Sequence, residues 1–139
     1  MSLLRTLYII RTAVPRWWHR HGFGIQSPSD YELVRDVLFE PLHYYAYKEQ
    51  GLRSAADRQM YRIRLWNPDV AVVRNEADYD KVRKSANNDT VATIEDISCG
   101  NERLWHRVLS DPQARVTFDM RYRGLVLFNT KRIKQNYIL

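Results

Sequence analysis

A chain of 139 residues, 45% apolar and 12% aromatic, can bury one real core, which argues against intrinsic disorder. The single Cys99 rules out an internal disulfide and any cysteine-based metal cluster. The formal charge of +6 is a modest basic excess that favours anionic partners weakly, and a solvated basic face accounts for it as well.

In chain order, Leu3, Leu4, Leu7, Ile10 and Val14 recur at helical spacing and predict a first helix over 3–14, stopped at Pro15. Residues 1–24 carry Arg5, Arg11, Arg16 and Arg20 and no acid. With Trp17 and Trp18 they suit either a membrane surface or, the preferred reading, a helix packed on a core. The apolar stretch Leu7–Ile10 is short and leads into arginines, so no secretory signal is expected, and no apolar run approaches the roughly 20 residues of a membrane span. With one cysteine, this predicts a cytoplasmic protein. Gly22-Phe23-Gly24 marks a loop. Ser27-Pro28-Ser29-Asp30 is a helix start, with Ser27 as cap, and that helix should reach about Phe39. A third helix is predicted over roughly 50–64, with Leu52, Ala56, Met60 and Ile63 as its buried stripe.

Character changes at Pro68. Val70-Ala71-Val72-Val73 is an apolar run expected of a strand buried on both faces. A helix over 76–85, a strand from Thr90 to Ile97, a helix over 101–110 with Leu104, Trp105, Val108 and Leu109 inward, and a strand from Arg115 to Met120 follow. Leu125–Phe128 is the hairpin partner of that last strand, with the turn around Arg121 to Gly124. Gln135–Leu139 can extend the sheet. The expected fold is α/β, about four strands with a parallel start and an antiparallel C-terminal hairpin. It is read as a single domain over 1–139, mainly helical over 1–66 and α/β over 67–139.

Several short runs resemble one bacterial family of class I S-adenosylmethionine-dependent methyltransferase-like proteins. His21–Ser29 and Tyr44-Tyr45-Ala46 look like that family's opening. Ile94-Glu95-Asp96-Ile97, Trp105, Val116–Asp119 and Gly124–Phe128 look like its ending. The resemblance implies a truncated Rossmann-like half-fold. Counted along the chain, its strands should lie in the spatial order first, second, fourth, third. The cofactor loop of such folds needs glycines, for unusual backbone angles and for close approach to the ligand. Between Gly51 and Gly100 this chain has none. After the fourth strand of the full fold, the family's acid and histidine are replaced by Arg74 and Ala77. After the fifth, its D-I-H-W-S becomes Asp96-Ile97-Ser98-Cys99-Gly100. Near the front, Gln26 stands where histidine would and Ser29 where an aromatic would. The framework is kept and the site-facing residues are not.

The residues considered for a site are Arg74, Glu95, Asp96 and Cys99, with no catalytic, metal or cofactor assignment. Glu95-Asp96 falls where α/β folds bind ligands, but strand alternation sends the two side chains to opposite faces. Cys99 lies at a strand-to-helix turn and has no identifiable base. His19, His21 and His43 are read as loop or surface histidines. The expected function is that of a non-catalytic binding or regulatory module with no cofactor. The alternatives are a methyltransferase completed by a partner chain and a membrane-surface protein. The bare Val70–Val73 edge predicts cover by the N-terminal helices, a homodimer, or another protein partner. Scattered arginines and aromatics with no binding motif speak against nucleic acid.

Overall fold

The computed structural model describes residues 28–39, 47 and 50–139. The chain divides into two compact units, Met1–Pro68 and Asp69–Leu139. The predicted helix over 3–14, the Ser27 cap and the three histidines at 19, 21 and 43 lie outside the described residues.

In the first unit, helix α1 (Pro28–Glu32) passes directly into a π-helical turn, Leu33–Leu38, which buries Leu33, Val34 and Leu38. Helix α2 (Ala55–Trp66) is capped by Ser54, whose hydroxyl accepts from the Asp57 amide at 3.0 Å. Its buried stripe differs from the apolar one. Met60 and Ile63 are buried, Ala56 is exposed, and Gln59 is buried instead. The reason is a polar one. The Gln59 amide donates to the Leu38 carbonyl at 3.0 Å, and Arg62 donates to Val37 O at 2.6 Å and Leu38 O at 2.8 Å. These side chains satisfy carbonyls left open at the end of the π-helical turn.

The second unit is α/β. Its elements are β1 (Ala71–Val73), α3 (Glu76–Ser85), β2 (Val91–Glu95), α4 (Glu102–Ser110), β3 (Val116–Asp119), β4 (Arg123–Leu127) and β5 (Gln135–Ile138). They form one five-stranded sheet in the order β1-β2-β4-β3-β5. β1 and β2 are parallel, β4 is antiparallel to both β2 and β3, and β5 is parallel to β3. The first four strands therefore take the order first, second, fourth, third. The sheet has five strands rather than four, because the C-terminal run does extend it.

β1, β2 and β3 advance in one direction across the sheet, so right-handed crossovers place α3 and α4 on the same face. That face holds a core of Val73, Tyr79, Ala92, Ile94, Leu104, Trp105, Val108, Val126 and Phe128. Gly124 is not a turn residue. It lies within β4, opposite Ile94 and Asp119, and a Cβ there would collide with the Trp105 ring. The glycine is set by close approach. The positive φ of the β3–β4 turn belongs to Arg121, at 77°.

Candidate functional site

Parallel α/β sheets bind ligands in the crevice outside the carboxyl ends of their strands. Here that place is bounded by Arg74 after β1 and by Glu95–Asn101 after β2. At the first boundary, Asn75 caps α3 by accepting from the Asp78 amide at 2.8 Å, and the Asp78 carboxylate accepts from the Arg74 amide at 3.1 Å. The Arg74 side chain is exposed.

At the second boundary the strand ends at Glu95, and Asp96 takes a left-handed conformation with φ 55°. The expectation that Glu95 and Asp96 alternate across the sheet fails for this reason, since Asp96 is no longer strand. An aspartate tolerates this geometry better than most residues. The Asp96 carbonyl accepts from the amides of Cys99 and Asn101, both at 3.0 Å, and closes a tight loop. Gly100, at φ 120°, occupies a backbone conformation that a side chain would strain. The Asp96 and Cys99 side chains point to solvent.

Glu95 does not face an open site. Its carboxylate accepts from Arg123 Nε at 2.9 and 3.0 Å, and the two side chains are only 13% and 11% exposed. Thr93 Oγ1 adds a second donor at 3.3 Å. The register puts Glu95 directly opposite Arg123 across β2 and β4. Both oxygens of this acid are engaged by a side chain of its own sheet.

Asn101 draws the two boundaries together. Its position before α4 suggests an N-cap, but its side chain makes no capping bond. The amide instead donates to Arg74 O and to Glu95 O, both at 2.9 Å. One side chain thereby links the loops leaving β1 and β2 across the crevice mouth. Arg74 and Glu95 are brought together through their carbonyls, whereas their side chains do not converge with those of Asp96 and Cys99 on a common centre.

Sequence reasoning missed Asn101 and Arg123. A side chain bonding 27 residues back and an ion pair spanning 28 become visible only once register is known. Among the described residues, no group of three or more His, Cys, Asp or Glu could hold a metal ion, and no helix is long and apolar enough to cross a membrane. No known protein family, curated protein or solved structure matches this chain.

Proposed function

We propose that this chain is a non-catalytic, methyltransferase-like binding module. The observation that carries the reading is the Asn101 amide, bonded to both Arg74 O and Glu95 O where such folds admit their ligand. A cofactor entering there would have to break both bonds. The Glu95–Arg123 pair supports the same reading, because the acid nearest the crevice is already committed. The strand order β1-β2-β4-β3, with β4 reversed, supports the likeness to the C-terminal half of a methyltransferase sheet. The glycine-free interval between Gly51 and Gly100 supports the loss of the cofactor loop. The lone Cys99 suits a reducing, cytoplasmic setting.

Isothermal titration of the full chain with S-adenosylmethionine tests this. No heat of binding is expected. A dissociation constant tighter than about millimolar, the weak end of the affinity scale, would overturn the reading in favour of an active or partner-completed enzyme.

A further inference from the structure

On the side of β2 away from β1, the β3–β4 turn meets the loop after β2, and the Ile97 amide donates to the Tyr122 carbonyl at 3.2 Å. Arg121 combines two anomalies there. The Tyr122 amide donates to the Met120 carbonyl at 3.0 Å, so Arg121 is the middle of a three-residue turn with φ 77°, a conformation that is rare and strained. A glycine would hold this turn without the strain. The Arg121 Nε is also buried and meets no acceptor within the protein. Arg123, on the same turn, is by contrast committed to Glu95. Asp119 meets Arg121 through the backbone, its carboxylate accepting from the Arg121 amide at 2.8 Å. On the facing loop, next to Ile97, Ser98 Oγ is likewise buried and without a protein partner. A buried polar group left without a partner destabilises a fold, and strained residues cluster where ligands are clamped. The fold accounts for neither side chain.

We propose that Arg121 and Ser98 bind the phosphate group of a small phosphate monoester. The edge of a guanidinium offers two parallel N–H donors to an oxyanion, and the Ser98 hydroxyl adds another from the second loop. Donors from two directions suit a tetrahedral oxyanion with three free oxygens. A planar carboxylate would already be filled by the guanidinium edge. Tyr122, exposed on the same turn, offers an aromatic surface to the group that carries the phosphate. The proposal rests on this turn and loop alone, so its failure leaves the reading of the crevice between β1 and β2 untouched.

Titration of the isotope-labelled full chain with inorganic phosphate, followed residue by residue by NMR, tests this. The amides of residues 97–99 and 120–123 should shift, with a dissociation constant of about a millimolar or tighter. Acetate should bind roughly tenfold more weakly, because it leaves the serine unused. Arg121→Gly and Ser98→Ala should each weaken phosphate binding by roughly tenfold or more, yet melt at or above the wild-type temperature, since each removes an unmatched buried group and the glycine also relaxes the turn. Lys84→Ala, which removes an exposed charge from α3, should leave phosphate binding unchanged. Shifts that are absent or spread over the whole chain, acetate binding as tightly as phosphate, wild-type affinity in Arg121→Gly, or a melting temperature for that variant well below wild type would each overturn the proposal.

Discussion

Asp111 sits between α4 and β3, 8% exposed, where an uncompensated carboxylate would be costly. Burial pushes its carboxyl up, but hydrogen bonds from Arg83 at 2.7 Å and Tyr79 at 2.6 Å, with the Gln113 amide, outweigh this and hold it below its ordinary value. Burial first, and then the neighbouring carboxylate, raise the Tyr79 hydroxyl, which stays a donor. A carboxyl depressed in the folded state stabilises fully above its unfolded pKa of about 4, and that contribution fades as pH falls through the folded value. Asp111→Asn should therefore cost about 1–3 kcal/mol at neutral pH, and its deficit against wild type should shrink in acid. Thermal melts at neutral and strongly acidic pH check this, and a deficit independent of pH would refute it. Gly124 makes a purely steric counterpart. Gly124→Ala should lose about 1–3 kcal/mol by overpacking, with part regained when Trp105→Leu is added. Urea unfolding of the four proteins in that cycle measures the coupling.

Elements with a strong local signal were legible in the sequence. The helix expected over 76–85 is found there because Asn75 starts it and acids occupy its first turn. The apolar runs became β1 to β4, although β1 is not buried on both faces as expected, since Val73 is buried and Ala71 and Val72 are half-buried. The helix expected near Asp30 instead divides into α1 and a π-helical turn. Its C-terminal carbonyls are taken by Gln59 and Arg62 from α2, a tertiary contact invisible to local pattern. The candidate site was legible only as a location. Glu95 could be placed at the ligand end of the sheet, and a capping or ion-pair role preferred for it, but its partner could not be named because that partner comes from β4, 28 residues on. Breaking that nearly buried pair by Glu95→Gln should destabilise the protein by about 3–5 kcal/mol, because the bonds from Arg123 to this carboxylate lose their charge. The double change Glu95→Leu with Arg123→Met should recover most of the loss. Chemical denaturation of the three proteins tests this, and equal losses in the single and double variants would refute it.

At the scale of the whole molecule, the change of sequence character at Pro68 coincides with the division into two compact units. The spatial order of the strands followed from likeness rather than periodicity, because no local rule inserts a later strand between β2 and β3. The position of β5 beyond β3 was left open by the sequence, and its parallel pairing with β3 determines it. The side chain that links β1 to β2 is an amide, and this has a consequence for how the second unit responds to its surroundings. An asparagine neither gains nor loses a proton near neutrality, whereas a histidine or carboxylate in the same place would titrate. The tie between Arg74 and Glu95 is therefore a fixed fastening rather than an acid-sensitive gate. Acid should loosen this unit at Asp111 without acting on the Asn101 amide itself.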